Sequence, residues 1–255
     1  MNLGIEYIKY RWKALRRHGV HSPFIYNLTD KCFRTPSSSA LKEKLRHLHY
    51  QLHANNEKIE ITDFGAGSRK LGKNRTIKSI YRTSSSKGKY GKLLYQLVNY
   101  FRPENVLEFG TSLGIGTVCM ASGNKSSTII SVEGCKKTHN QAKKNIELLG
   151  IKNIQLINKQ FVNFDPSKYA EQFNLVFING HHDGDALLHY MNKLEPFTNN
   201  ETVFVLDDIR WSDSMFEAWN SIVNNPQYSV TIDLFRVGIA IRRTEQRKEH
   251  FVLRN

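Results

Sequence analysis

Residues 106–117, VLEFGTSLGIGT, end an apolar run in an acid, Glu108, and follow it at once with Gly110, Gly114 and Gly116. That order describes a strand that stops, a tight turn, and a new helix whose first N–H groups and positive dipole end face whatever the turn holds. Such a turn suits a nucleotide-type cofactor. About twenty residues later a second apolar run, TIISVEG, ends in Glu133, where an adjacent parallel strand would present a carboxylate to a ribose diol. A second set of reactive side chains lies downstream. FNLVFINGHHD supplies Asn179, His181, His182 and Asp183, and TVFVLDDIRW supplies Asp207 and Asp208. An imidazole titrates near neutrality and can take a proton from a hydroxyl nucleophile. Oxygen donors from two strand ends could hold a hard cation. These groups also have plain structural readings: the histidines as polar loop residues, and Asp207 or Asp208 as a cap for the helix that begins near Ser212.

The glycine spacing separates the cofactor classes. A dinucleotide GxGxxG would need glycine where Ser112 stands, which argues against a nicotinamide or flavin oxidoreductase. The run from Glu108 to Gly114, an acid, any residue, then Gly-x-x-x-Gly, instead resembles motif I of the class I S-adenosylmethionine-dependent methyltransferases, and Glu133 matches that family's acid after the second strand. Downstream, residues 173–183 resemble its fourth-strand motif and residues 202–211 its fifth strand. Upstream, SSSKGKYGKLLYQLVNYFRP resembles the helix that precedes motif I in catechol O-methyltransferase-like enzymes and helps enclose the cofactor.

The resemblance runs over residues 84–243 and implies an α/β Rossmann-like methyltransferase fold: a mostly parallel seven-stranded sheet with a C-terminal antiparallel hairpin. It implies S-adenosylmethionine as cofactor. Gly110, Ser112 and Gly114 would line its methionine part, Glu133 with Gly134 would take the ribose, and Gln160 would meet the adenine, with Asn179 at the end of the fourth strand. Glu108 would hold the turn or contact the cofactor's amino group. In the metal-dependent members an Asp ends the fourth strand and an Asp-Asn pair ends the fifth, together holding Mg2+. Here Asn179, Asp207 and Asp208 stand at those positions, and the missing first carboxylate argues against an obligatory metal. His182, or His181, would then act as the base, with Asp207 or Asp208 orienting it or binding the acceptor.

The elements that must position these groups follow from periodicity. Leu93, Leu94, Leu97, Val98 and Phe101 mark a helix that Pro103 ends. Strands are expected at residues 105–109, 128–132, 154–157, 175–178 and 203–206, separated by helices near 114, 136–149, 185–194 and 213–223. Short apolar strands alternating with helices imply a parallel sheet covered on both faces. The alternating runs in YSVTIDLFRVGIAIRR imply the terminal hairpin. Residues 1–57 are expected as a basic helical extension, 58–91 as a linker and lid, and 92–255 as the methyltransferase domain. Within the extension, Ile5, Ile8, Trp12 and Leu15 recur at helical spacing beside Lys9, Lys13, Arg16 and Arg17. The leading reading is a helix packed on the domain, with membrane or RNA contact as the alternative. Leu41, Leu45, Leu48 and Leu52 mark a second helix, whose His49 and His53 lack a third metal ligand. The DFGAGS turn at residues 63–68 is a rival cofactor turn, but no second strand ending in an acid follows it.

The 255 residues allow a full core, and Cys32, Cys119 and Cys135 read as buried thiols of a reducing, cytoplasmic environment. No signal-peptide or membrane-spanning apolar run is apparent. The formal charge of +14 invites an anionic partner, and the tail RRTEQRKEHFVLR adds to a nucleic-acid reading. Against that reading, no NPPY-like clamp follows the fourth strand, so a small-molecule hydroxyl acceptor leads. An RNA-directed methyltransferase and a degenerate cofactor-binding scaffold are the alternatives.

Overall fold

A computed structural model describes residues 2–15, 19, 21–62, 74–84 and 86–254. In chain order the helices are α1 (Leu3–Lys13), α2 (Pro23–Asn27), α3 (Ser39–Ala54), α4 (Ile77–Thr83), α5 (Lys89–Phe101), α6 (Ile115–Gly123), α7 (Lys136–Leu148), α8 (Gly184–Leu194) and α9 (Asp213–Asn224). The strands are β1 (Lys58–Glu60), β2 (Asn74–Thr76), β3 (Asn105–Phe109), β4 (Thr128–Glu133), β5 (Ile154–Asn158), β6 (Leu175–Ile178), β7 (Val203–Leu206), β8 (Val230–Asp233), β9 (Gly238–Ile241) and β10 (Glu249–Val252). They fall into two units, one of Arg34–Phe164 and one of Met1–Phe33 with Asp165–Asn255.

In the first unit β3, β4 and β5 form a parallel ladder in which Glu108 stands opposite Ser131 and Phe109 opposite Val132. The apolar runs of β3 and β4 are buried along nearly their whole length, as strands covered on both faces must be. Helices α5 and α6 approach closely because Gly123 leaves room: a Cβ there would come within 2.7 Å of the Tyr95 carbonyl oxygen. In α3, Leu41, Leu48 and Leu52 are buried, so the heptad-like spacing identifies the inward face. His49 Nδ1 lies 2.8 Å from the Tyr81 hydroxyl. Segment 58–91 contains the antiparallel pair β1–β2 and α4, while its DFGAGS turn lies outside the described residues. Cys119 and Cys135 of this unit, and Cys32 of the other, are free and buried.

In the second unit β6 pairs parallel with β7, β7 and β8 each pair antiparallel with β9, and β10 pairs parallel with β8. The terminal hairpin is therefore present, and β10 adds a strand drawn from the basic tail. Phe251 and Leu253 are buried there, which is why a segment so rich in charge is ordered. Helix α1 forms as expected, but the face that docks is a different one. Ile5, Ile8 and Trp12 are exposed, and Tyr10 and Ala14 are buried instead. The Tyr10 hydroxyl donates to the Leu253 carbonyl, and its ring lies 5.2 Å from that of Phe235. A periodic pattern marks a stripe; it does not say which of two apolar stripes is covered.

Candidate functional site

In the unit of residues 34–164 the chain leaves β3 through three left-handed backbone positions: Gly110 at φ 99°, Ser112 at φ 50° and Gly114 at φ 82°. Glycine adopts this region freely, whereas Ser112 does so against steric cost, so the turn is held by its surroundings. Gly110 N–H donates to the Val132 carbonyl and Gly114 N–H to that of Thr111, each at 2.9 Å. From α7, Asn145 Nδ2 reaches the Leu113 carbonyl at 2.9 Å. Helix α6 starts immediately after, and its cap residue Gly114 carries no side chain to bond the first N–H groups.

Glu133, the last residue of β4, closes the arrangement. Its Oε2 accepts from Ser112 N–H and its Oε1 from Cys135 N–H, both at 2.9 Å. Both carboxylate oxygens are engaged by backbone N–H groups, one in the turn after β3 and one just past the end of β4. The acid is thus fixed by the turn it would serve together with, and Gly134 follows it with its carbonyl accepting from Asn158 at 3.2 Å.

Glu108 is placed differently. It is 1% exposed, and its Oε2 accepts from the Thr117 hydroxyl at 2.5 Å and the Ser131 hydroxyl at 2.6 Å. Burial pushes its carboxyl up to about 7, against the pull of those two hydroxyls and with a further push from Glu133. Of the two roles expected for it, this geometry performs the first, tying β3, β4 and the first turn of α6 together. A Cβ at Gly116 would meet Glu108 Oε1 and Ser86 Oγ at 3.0 Å, which keeps that position glycine. Gln160 begins a short turn after β5, and the next residue, Phe161, stacks on Phe109 with ring centroids 4.8 Å apart. The cradle therefore offers a narrow turn, a helix start without a side-chain cap and a carboxylate at the neighbouring strand end.

In the other unit, β6 runs into Asn179, and then His181 at φ 65° and His182 at φ 43° turn the chain into α8. Two successive non-glycine residues in the left-handed region are a strained feature that the surrounding contacts must hold. His181 Nδ1 lies 3.2 Å from the Tyr190 hydroxyl. His182 Nε2 lies 3.9 Å from Asp208 Oδ2, and its ring packs 4.9 Å from that of Trp211. Asp183 caps α8, accepting from Ala186 N–H at 3.0 Å. Asp207 and Asp208 follow β7, Asp208 itself at φ 53°.

Arg236, which belongs to none of the motifs, lies on both acids. Its Nε is 2.6 Å from Asp208 Oδ1 and 3.4 Å from Asp207 Oδ1, and a terminal nitrogen reaches Asp208 Oδ2 at 3.0 Å. Burial raises the Asp208 carboxyl while the guanidinium opposes that shift. Because Asn179 is neutral and a guanidinium fills the charge requirement of the pair, these residues do not fit a divalent cation. Among the described residues no cluster of three or more His, Cys, Asp or Glu side chains suits a metal ion. Turnover is accordingly expected to be the same with excess Mg2+ and with a chelator. A rate that collapses on chelation and returns with Mg2+ would contradict the Arg236 assignment.

Comparison with known proteins bears on the same elements. Residues 107–209 match a family model described as a methyltransferase domain. No curated protein matches the chain. Among solved structures, the chain is similar to a Podospora anserina methyltransferase bound to S-adenosylhomocysteine (SAH), at 12% identity and TM-score 0.58, over 88% of this chain and 96% of that one. It is similar to an O-methyltransferase from Bacillus cereus in complex with SAH, at 17% identity and TM-score 0.52, covering 85% and 96%. The O-methyltransferase TomG from Streptomyces achromogenes, in complex with SAM, matches at 13% identity and TM-score 0.54, covering 86% and 94%. Likeness at these identities is likeness of fold.

Proposed function

We propose that this chain, a class I S-adenosylmethionine-dependent methyltransferase of the O-methyltransferase-like fold, methylates a hydroxyl group of a small-molecule acceptor. The observation that carries the acceptor reading is His182, held in a left-handed backbone conformation beside Asp208 and Trp211. When bound, S-adenosylmethionine supplies an electrophilic methyl group on a sulfonium; the acceptor oxygen gains the new bond to carbon as the sulfur–carbon bond breaks, leaving a neutral thioether. Methyl transfer of this kind depends chiefly on holding donor and nucleophile in line.

The residues divide that task. Gly110, Ser112 and Gly114 admit the methionine part close to the backbone, Glu133 with Gly134 orients the ribose, and Gln160 faces the adenine. Glu108 keeps the turn in shape from beneath. On the acceptor side His182 takes the hydroxyl proton at its imidazole, and Asp208 stabilises the cation that results. His181, tied to Tyr190, and Asn179 shape the same loop. Asp207, held with Asp208 by Arg236, fixes the strand end from which Asp208 acts.

The test is formation of S-adenosylhomocysteine from S-adenosylmethionine across a panel of hydroxyl acceptors, with wild type and His182→Gln compared. Loss of a general base costs about 10²–10⁴-fold in rate. The variant is expected to lose turnover by that order and to keep its cofactor affinity. A wild-type rate in His182→Gln would remove the base assignment, and turnover with RNA but with no small hydroxyl compound would overturn the acceptor class.

A further inference from the structure

Helix α1 is apolar on two sides, and only one of them is used by the fold. Of the eleven large apolar side chains exposed among the described residues, six lie within residues 3–15. Trp12 is 89% exposed, Ile8 60% and Ile5 52%. At 3.6 residues per turn, Ile5, Ile8 and Trp12 fall within about 60° of arc, on the side opposite the buried Tyr10 and Ala14. Tyr10 already has its partners, the Phe235 ring and the Leu253 carbonyl, so the second stripe is surplus to packing.

What flanks that stripe identifies its partner. Arg11 borders it on one edge and Lys9 and Lys13 on the other, all exposed. Glu6 is the one acid of the helix, and it is paired with Lys9 at 2.8 Å. An apolar strip edged by long cationic side chains is the pattern of a helix lying in a lipid interface, where the aliphatic stems cover apolar surface and the charged heads reach phosphates. The chain's formal charge of +14 adds long-range attraction to an anionic surface.

A nucleic acid would answer the cations and leave Ile5 and Ile8 in water. A second copy would answer the apolar strip, but in a two-fold contact it would bring basic edges against basic edges. Among the described residues no helix is long and apolar enough to cross a membrane, and α1 has 11 residues, so the geometry is that of a helix on the surface.

We propose that the outward face of α1 docks on an anionic lipid surface, with Ile5, Ile8 and Trp12 entering the boundary between headgroups and acyl chains and Lys9, Arg11 and Lys13 meeting the lipid phosphates.

The experiment is co-sedimentation of the full chain with phosphatidylcholine vesicles with and without phosphatidylglycerol. Wild type is compared with the pair Ile8→Asp/Trp12→Asp and with the pair Lys9→Glu/Arg11→Glu. Binding to the anionic vesicles alone is expected, weakened by added salt and reduced about tenfold or more in each variant pair. The substituted side chains are exposed, so unfolding midpoints should match wild type, which separates lost binding from lost fold. The proposal is overturned by absence of binding to anionic vesicles, or by variants that bind as wild type does. It is also overturned by a wild-type dimer that the apolar substitutions dissociate, which would assign the face to a second copy, or by RNA retention that the same apolar substitutions leave intact in a protein that ignores vesicles.

Discussion

Glu133→Ala is expected to lower the affinity for S-adenosylmethionine about 10–100-fold, the range set by hydrogen bonds to a charged group at about 1.5–3 kcal/mol. Two losses combine in that figure. On the proposed placement the ribose hydroxyls would lose a charged acceptor, and the N–H groups of Ser112 and Cys135 would lose the carboxylate that holds them at 2.9 Å. Since Ser112 sits at φ 50°, release of its N–H lets the turn relax away from the shape the cofactor needs. Glu133→Gln keeps one carbonyl acceptor and should recover part of the affinity. Calorimetric titration of the two variants reads both effects, with unfolding midpoints recorded alongside. Unchanged affinity in a folded Glu133→Ala protein would remove the acid at the end of β4 from the cofactor site.

Arg210→Ala is expected to cost about 3–5 kcal/mol of stability, the range for breaking one side of a buried ion pair. Arg210 and Asp233 have side chains 7% and 5% exposed and meet in a two-point contact, at 2.9 Å and 2.5 Å. Arg210 also donates to the Phe235 carbonyl at 2.6 Å, while Asp233 accepts from Phe235 N–H at 2.7 Å. Together they hold Phe235 at φ 71°, one residue before the Arg236 that lies on Asp207 and Asp208. The substitution therefore leaves a buried carboxylate without its counter-charge and loosens the turn that delivers Arg236. Denaturant unfolding measures the first effect. The double variant Arg210→Met/Asp233→Leu, which removes both charges, should regain much of the loss. If the single and double variants are equally stable, the cost lies in packing and not in the stranded charge.

How far these features could be read from the chain depends on how local their causes are. The strands β3, β4, β6 and β7 were legible because burial on both faces demands unbroken apolar runs, and glycines and acids punctuate their ends. The turn after β3 was legible for the same reason, since the left-handed positions at Gly110 and Gly114 call for a residue type that can be seen in the sequence. Asp183 as a helix cap also lay within reach, because the cap bond spans only three residues.

Other features depend on distant partners. Arg236 reaches Asp208 across 28 residues, and nothing in the spacing of LFRVG indicates an acid pair waiting for it. Trp211 could be seen in its motif, but its packing against the His182 ring depends on how two loops meet. The tail was read for its charge, yet Phe251 and Leu253 decide its structure by joining β8 as an edge strand, and four residues are too few for alternation to signal it. The orientation of α1 belongs with these. Its outward stripe is the more apolar by composition, and Tyr10 docks because its hydroxyl and ring find partners 243 and 225 residues away.

A cofactor site built from the turn after β3 and the acid after β4 is tested most directly by calorimetric titration of the wild-type chain with S-adenosylmethionine, S-adenosylhomocysteine and NADH. Saturable micromolar binding of the two sulfur nucleosides, with none for NADH, is the predicted result. A folded protein that binds neither sulfur nucleoside, or that prefers NADH, would contradict it.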